Sequence, residues 1–311
     1  MKIIDLHQDL MTHIRFRDVL GQDKQTDFEM LKASPVEVVV ATAFPFPKND
    51  DQYDDSVHAL IEEEIDMYNE YVRTHDNWSL LRNGGDFNLQ GNKLLLHIEG
   101  LNVFDGSSEH WECVRRWKHK GVRSIGTHWN LNNQLGGGTN SPEIGLTDLG
   151  REFIAFLEAE KLVFDLAHMS RKGFFEAAQL AQRPLYVSHG NADALCTSVR
   201  NYTDEQLRLI AQSGGVIGVF FPNTFVVGRE TVGGVHDVVR HVRYIADLIG
   251  VEHVAIGSDF GGIVSGTVTG LSSVSDYPVL VEHLYKIGFT ETEIEKILYT
   301  NACRVLKSHL Q

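Results

Sequence analysis

The chain has 311 residues, of which 42% are hydrophobic and 23% charged, proportions that are ordinary for a globular protein with a sizeable core. Its formal net charge of −14 argues against nucleic acid and anionic membrane surfaces as partners, because both bind through basic patches. The three cysteines are far apart and form no CxxC pair, which argues against a disulfide framework. With no leader-like segment and no apolar run long enough for a membrane span, we expect a cytoplasmic protein.

Eight apolar runs alternate with helical patterns along the chain. Runs rich in β-branched residues are typical of strands that are buried on both faces of a parallel sheet. The predicted strands are 3–7, 36–44, 93–99, 122–128, 162–168, 184–189, 215–221 and 253–259. The predicted helices are 55–73, 110–119, 148–160, 171–181, 204–212 and 235–249, with a last helix at 291–307.

Three local patterns mark the connections. Thr203 with Gln206 forms a capping box that starts the helix at 204. Turn-forming residues predict loops at 45–52 and 134–143. Together the elements predict the α/β class: a single (β/α)8 TIM barrel with a C-terminal helix, occupying residues 1–311 as one domain. A doubly wound open sheet is the alternative, because a pattern does not show that a sheet closes.

Residues suited to metal binding or acid–base chemistry end six of the eight predicted strands. In a barrel the C-terminal strand ends meet on one face, and that face carries the active site. Taken singly, a histidine is more often a satisfied structural residue, and a carboxylate often caps the next helix. The prediction therefore rests on the set, which is His7 with Asp9, Glu99, His128, His168, His189 and Asp259.

The spacing of Asp5, His7 and Asp9 is informative. Residues two apart on an extended chain face the same way, so His7 and Asp9 can bind one ion together. Asp5 lies one step deeper on the same predicted face, where it would orient a ligand imidazole. A capping or salt-bridge role for Asp5 is the alternative.

The number of candidate ligands is sufficient for two ions. His7 and Asp9 serve one ion, His168 and His189 serve the other, and Glu99 bridges them with its two oxygens. Two ions about 3.5–4 Å apart can clamp both reacting oxygens of a hydrolysis. Mixed imidazole and carboxylate ligands favour zinc, although manganese, cobalt and iron also accept them. Asp259 is then left to move a proton.

Eight motifs, in order along nearly the whole chain, resemble those of the membrane (renal) dipeptidase family of zinc peptidases, which are amidohydrolase-type barrels. FDLAHMS, YVSHGNADAL and SVRNYTDEQL are the most specific together. The matching segments are DLHQDL (5–10), IEG (98–100), GVRSIGTHWN (121–130), GLTDLGREF (145–153), FDLAHMS (164–170), YVSHGNADAL (186–195), SVRNYTDEQL (198–207) and GSDFGG (257–262).

The resemblance implies a metal-dependent hydrolase that cleaves dipeptides with a free C-terminal carboxylate, including those with a D-residue at the C-terminal position. It implies the same zinc ligands as the count above, with Asp259 as the acid–base residue. His128 resembles the histidine that contacts the scissile carbonyl region and stabilises the oxyanion. Arg200 resembles the arginine that grips the substrate carboxylate, which a guanidinium can bind bidentately. A homodimer is also implied.

One departure and two alternatives stand beside this interpretation. The family commonly has Asp-Phe-Asp-Gly where this chain has Asp259-Phe260-Gly261-Gly262, so the pocket shape can differ. The same scaffold could hydrolyse another amide, a lactone or a phosphoester, because fold does not determine function. A binding protein without activity is the third hypothesis, and the complete ligand set argues against it.

Overall fold

The computed structural model describes residues 1–44, 56–102 and 104–311 of the chain. The loop predicted at 45–52 and the first residue of the helix predicted at 55–73 lie outside these residues. None of the helices within the described part of the chain combines the length and the apolar character that a membrane crossing requires.

The described residues contain nine parallel strands, and eight of them close into a barrel. The strands are β1 (Ile3–Gln8), β2 (Val36–Ala43), β3 (Trp78–Leu80), β4 (Asn92–Glu99), β5 (Val122–Gly126), β6 (Val163–Asp165), β7 (Tyr186–Val187), β8 (Val216–Val219) and β9 (Val254–Ile256). The order is β2-β1-β9-β8-β7-β6-β5-β4, and β2 also pairs with β4. This pairing closes the ring, which confirms the predicted barrel and excludes the open sheet. The unpredicted strand β3 pairs with the first three residues of β4, Asn92–Leu94, ahead of the part of β4 that pairs with β5.

Twelve α-helices lie in the described segments. They are α1 (Leu10–Leu20), α2 (Phe28–Ala33), α3 (Ser56–Thr74), α4 (Ser108–His119), α5 (Asp148–Ala159), α6 (Arg171–Leu180), α7 (Asp204–Gln212), α8 (Asn223–Val226), α9 (Val235–Ile249), α10 (Tyr277–Lys286), α11 (Glu291–Glu295) and α12 (Asn301–His309). The capping box at Thr203 is present. The helix predicted at 291–307 contains a π-helical turn, Lys296–Thr300, between α11 and α12.

Several barrel strands are shorter than the sequence predicts, and chemistry-bearing residues lie just beyond four of them. His128 and His189 follow the ends of β5 and β7 by two positions, and His168 and Asp259 follow β6 and β9 by three. His168 and Asp259 have positive φ angles of 60° and 68°. The left-handed region is incompatible with a strand, so neither β6 nor β9 could extend through these residues to the predicted ends.

The alternation predicted for β1 is wrong at Asp5. The pairing of β1 with β2 is irregular between Asp5 and Gln8, so Asp5 and His7 do not share one set of neighbours. The Asp5 carboxylate accepts hydrogen bonds from the Ser258 amide (2.8 Å), the Ser258 hydroxyl (2.6 Å), Gln8 and Tyr277. Asp5 therefore ties β1 to the loop after β9 and to α10, and its link to His7 is a long contact with the His7 backbone amide (3.4 Å).

Two apolar clusters support the barrel mouth. The larger packs the outer faces of the strands against the surrounding helices. The smaller joins strand residues such as Leu6, Val40 and Leu95 to Val305 and Leu306 of α12. This arrangement places the rigid core beneath the C-terminal strand ends, where functional groups are held by the ends of several strands.

Candidate metal centre

The structure brings the five predicted metal ligands and Asp259 together at the C-terminal ends of the strands. His7 is in β1, Asp9 is the N-cap residue of α1, and Glu99 ends β4. His168, His189 and Asp259 come from the turns after β6, β7 and β9. The side chains of His7 and His189 are almost fully buried, and that of Asp259 is 18% exposed.

One half of the cluster is centred on His7. Its Nε2 atom lies 3.5 Å from Asp9 Oδ2, 3.7 Å from Glu99 Oε1 and 4.0 Å from Asp259 Oδ1. His7, Asp9 and Asp259 each offer an atom to one compact group of potential ligands. The predicted pairing of His7 with Asp9 is therefore geometrically available.

The other half is centred on Glu99 Oε1. This oxygen lies 3.0 Å from His168 Nε2 and 3.8 Å from His189 Nε2, and the two Nε2 atoms are 3.0 Å apart. Glu99 Oε1 also lies 3.7 Å from His7 Nε2, so this one oxygen lies between the two halves of the cluster.

The charges at this place favour a cation. Burial works to lower the pKa of His7, but the charges of Glu99, Asp9 and Asp259 outweigh it and raise that pKa to about 10. Burial likewise works to raise the pKa of Glu99, but the neighbouring His168 and His7 hold it at about 2. Burial raises the pKa of Asp259 well above its ordinary value.

The donor set fits divalent metal ions. Buried carboxylates need a compensating positive charge, and Asp9 Oδ1 and Glu99 Oε1 have no hydrogen-bond partner among the described residues. The Nε2 atoms of His168 and His189 lie 3.0 Å apart, so both can reach one centre. Nitrogen and carboxylate donors suit zinc and similar borderline ions.

Neutral side-chain oxygens of Asn130 and Ser188 hold His168 and His189. These two oxygens were not predicted from the sequence. His168 Nδ1 lies 3.0 Å from Asn130 Oδ1, and His189 Nδ1 lies 2.8 Å from Ser188 Oγ. A hydrogen bond at Nδ1 leaves Nε2 free to bind a metal and fixes the ring orientation. Ser188 precedes its histidine directly, but Asn130 is remote in sequence, so only its place in the GVRSIGTHWN motif marks it.

Position 262 needs a glycine, because the Asp9 and Asp259 carboxylates lie directly against its backbone. A Cβ atom at this position would lie 2.3 Å from Asp9 Oδ2 and 2.9 Å from Asp259 Oδ1. The departure Gly261-Gly262 noted in the sequence thus lies directly against two carboxylates of the site.

Arg200 reaches the cluster from the loop after β7. Its Nη2 lies 3.1 Å from His168 Nε2, and its guanidinium lies over the rings of Phe220 (5.4 Å) and Phe225 (6.0 Å). Its Nη1 is buried and finds no acceptor in the part of the chain that the structure describes. A donor of this kind, beside potential metal ligands, is suited to a carboxylate.

His128 is placed differently from the other predicted residues. It is fully buried, its Nδ1 lies 2.8 Å from Thr127 Oγ1, and burial lowers its pKa to about 4. Its neighbours Trp129 and Asn130 line the cavity above the cluster, whereas His128 does not. The oxyanion role of His128 stays a prediction.

A cavity of about 490 Å³ opens above the cluster. This volume is within the range of small-molecule sites. Its charged lining residues in the described part of the chain all belong to the cluster or contact it, and the remaining walls are neutral. The walls include Leu20, Phe44, Trp129, Phe220, Pro222, Phe225, Ile263 and Val264.

Comparison with known proteins places this site in a family. The family model described as membrane dipeptidase (Peptidase family M19) matches residues 1–310. The chain belongs to this family. It is therefore a metallopeptidase, a metal-dependent hydrolase, as the motifs predict.

Two curated relatives illustrate the range of the family. The chain is 39% identical over 225 residues to a Klebsiella pneumoniae protein named "Uncharacterized protein in pqqA 5'region", which covers 69% of this chain and 81% of that protein. It is 31% identical over 279 residues to dipeptidase ataJ of Aspergillus terreus, covering 81% of this chain but 65% of that protein. The chain thus spans just under two thirds of the length of ataJ.

A solved structure shows the same fold. It is a metallo peptidase from Rhodobacter sphaeroides in complex with a phosphinate mimic of the dipeptide L-Ala-D-Ala. The TM-score is 0.89 at 23% identity, and the alignment covers 99% of both chains.

Proposed function

We propose that this chain is a binuclear zinc-dependent dipeptidase that acts on dipeptides with a free C-terminal carboxylate, including those with a D-residue at that position. Residues 1–311 would act as a single domain. The observation that carries the proposal is the place of Arg200, whose unpartnered buried Nη1 lies in the same side chain as an Nη2 that contacts His168. A carboxylate bound at Arg200 would lie beside His168, which supports cleavage of the adjoining peptide bond at the cluster.

The ligand assignment follows the two halves of the cluster. His7, Asp9 and Glu99 would hold one ion, and Glu99, His168 and His189 would hold the other. When bound, such ions polarise a carbonyl and lower the pKa of water. A mixed set of imidazoles and carboxylates supports zinc as the metal.

The remaining groups have roles in the same reaction. Asp259, 4.0 Å from His7, would take a proton from the attacking water and deliver it to the departing amine. The raised pKa of Asp259 supports a group that carries a proton during part of the cycle. The oxyanion role of His128 rests on the resemblance alone, because this buried side chain does not line the cavity in this structure.

The dipeptide mimic held by the Rhodobacter sphaeroides enzyme supports both the substrate class and a D-residue at its C-terminal position. The cavity supports a small substrate with uncharged side chains, because its walls outside the cluster are mostly apolar. A homodimer and a cytoplasmic location remain predictions.

The test is a hydrolysis panel with zinc-reconstituted protein. It contains L-Ala-L-Ala, L-Ala-D-Ala, the matching C-terminal amides, an N-acylated dipeptide, a lactone and a phosphodiester. We expect cleavage of the free dipeptides and at least a tenfold lower kcat/KM for their amides. Cleavage of the lactone or phosphodiester without cleavage of any dipeptide would instead establish the alternative hydrolase.

A further inference from the structure

Asp165 lies one layer below the metal cluster and ties two of its chain segments together. It is the last residue of β6 and is 1% exposed. Its Oδ1 accepts hydrogen bonds from the backbone amides of Ala167 (3.0 Å) and Ser188 (2.9 Å). These residues directly precede His168 and His189, so one oxygen holds both turns at the points where they leave the sheet.

The other carboxylate oxygen faces two histidines. Asp165 Oδ2 lies 3.6 Å from His97 Nε2, and His7, His97 and Asp165 offer atoms that all lie within 4.8 Å of one another. His7 Nδ1 and His97 Nε2 are buried without a hydrogen-bond partner among the residues described. Ser124 Oγ occupies the other nitrogen of His97 at 2.9 Å.

The chemistry of a ligand imidazole decides which nitrogen of His7 needs a hydrogen-bond acceptor. When Nε2 binds a metal, Nδ1 carries the hydrogen, and a buried N–H needs an acceptor. Asp165 has a carboxylate oxygen within 4.8 Å of a ring nitrogen of His7, close enough to become the acceptor of Nδ1 when a metal fixes the ring, although Nδ1 makes no hydrogen bond among the described residues. Asp5, which the sequence suggested for this role, is instead engaged by Ser258, Gln8 and Tyr277.

We propose that Asp165 is the positioning residue of the metal centre: Oδ1 holds the turns of His168 and His189, and Oδ2 orients His7. The inference rests on the ligand assignment of the proposed function, but not on the substrate. In this role the Asp165 carboxylate would connect His7, His168 and His189, which come from three strands, without being a ligand itself.

The test measures zinc affinity by chelator competition in the full chain, together with thermal unfolding in the presence of chelator. Asp165→Asn keeps an oxygen that can accept from both backbone amides but replaces Oδ2 by an NH₂ group, which cannot accept from His7. Asp165→Ala removes both functions. Glu158→Gln is the matched control, because Glu158 is a largely buried carboxylate that pairs with Arg183 away from the cluster (2.6 Å).

We expect zinc to bind about tenfold more weakly to Asp165→Asn and weaker still to Asp165→Ala, with Glu158→Gln unchanged. The Asn variant should unfold near the wild-type temperature, since the backbone contacts persist. Wild-type zinc affinity in Asp165→Asn overturns the orienting role, and it does so even if the Ala variant fails to fold. A lower unfolding temperature with unchanged zinc affinity in both variants reduces Asp165 to a structural residue and overturns the proposal.

Two further outcomes distinguish the positioning role of Asp165 from a separate cation site and from the proposed function. A third zinc equivalent in the wild type that is lost in Asp165→Asn would make His7, His97 and Asp165 a cation site of their own, which contradicts positioning. Weakened zinc binding in the variants of a protein that cleaves no dipeptide would support the positioning role while overturning the proposed function.

Discussion

His168 and His189 face each other through Nε2 atoms 3.0 Å apart, although they follow different strands of the barrel. Glu99 Oε1 lies 3.0 Å from the first of these atoms and 3.8 Å from the second. The three atoms form one half of a centre whose other half is His7 with Asp9. This position of Glu99 between the two halves is what the proposed binuclear centre rests on.

Removing either histidine should remove one ion. We expect His168→Ala and His189→Ala to bind about one equivalent of zinc and to lose at least 99% of kcat/KM, because each ion has few protein ligands to spare. Elemental analysis and steady-state kinetics measure this. His236→Ala, at an exposed position far along the chain in α9, should keep both metal and activity. Full activity with one ion in either site variant contradicts the binuclear assignment.

The second prediction concerns Arg200. Arg200→Ala should raise KM for free dipeptides about 10- to 100-fold, since a charged hydrogen bond to a buried partner is worth about 1.5–3 kcal/mol. Arg200→Lys should recover part of this loss, because it restores a charge but not a bidentate fork.

The C-terminal amides are the internal control for Arg200, and Arg208→Ala, at an exposed site on α7, is the matched variant. An equal loss of activity on dipeptides and on their amides would mean that Arg200 does not bind the carboxylate.

The third prediction uses the close approach at Gly262. Gly262→Ala should weaken zinc binding and lower activity at least tenfold, because the new methyl group would lie 2.3 Å from Asp9 Oδ2 and displace it. Gly84→Ala is the matched control, since its Cβ would meet nothing nearer than 3.6 Å. Zinc titration and steady-state kinetics of both variants test this prediction. Wild-type zinc affinity in Gly262→Ala would contradict it.

The fourth prediction is a pH dependence of stability that originates at Glu64. Burial raises the pKa of Glu64 to about 8 from an ordinary value of 4.5. Its carboxyl group contacts the Thr12 hydroxyl (3.2 Å) and the Phe44 amide (3.1 Å) beneath the cavity wall.

The sign follows from proton uptake. As pH rises from about 4.5 towards 8, the unfolded chain releases this proton while the folded chain keeps it, so the free energy of unfolding falls. Glu64→Gln removes this contribution. We expect urea denaturation with chelator present to show the variant gaining stability relative to the wild type between pH 5 and pH 8. A difference that is independent of pH would contradict the raised pKa.

Much of this architecture was predictable from the sequence. The parallel strands are buried on both faces and therefore read as continuous apolar runs, and the residues that end them mark the barrel mouth. Seven of the eight predicted site residues lie together at the barrel mouth, and His128 does not line the cavity. The capping box at Thr203 is local and was predicted correctly.

Other features depend on long-range geometry and could not be predicted. The turns at His168 and Asp259, three residues beyond the ends of β6 and β9, have left-handed backbone conformations that the sequence pattern does not reveal. The irregularity of β1 overrides the alternation that placed Asp5 beside His7. Asp165 lies within a predicted strand, where a carboxylate carries no signal until the ends of β6 and β7 are seen side by side.

The account is tested most directly by a stepwise zinc titration of metal-free protein, with L-Ala-D-Ala hydrolysis measured at each step. We expect activity to reach its maximum at two equivalents of zinc per chain, and we expect Glu99→Ala to abolish hydrolysis. Maximal activity at one equivalent would contradict the binuclear centre, and absence of hydrolysis at two bound equivalents would contradict the dipeptidase function.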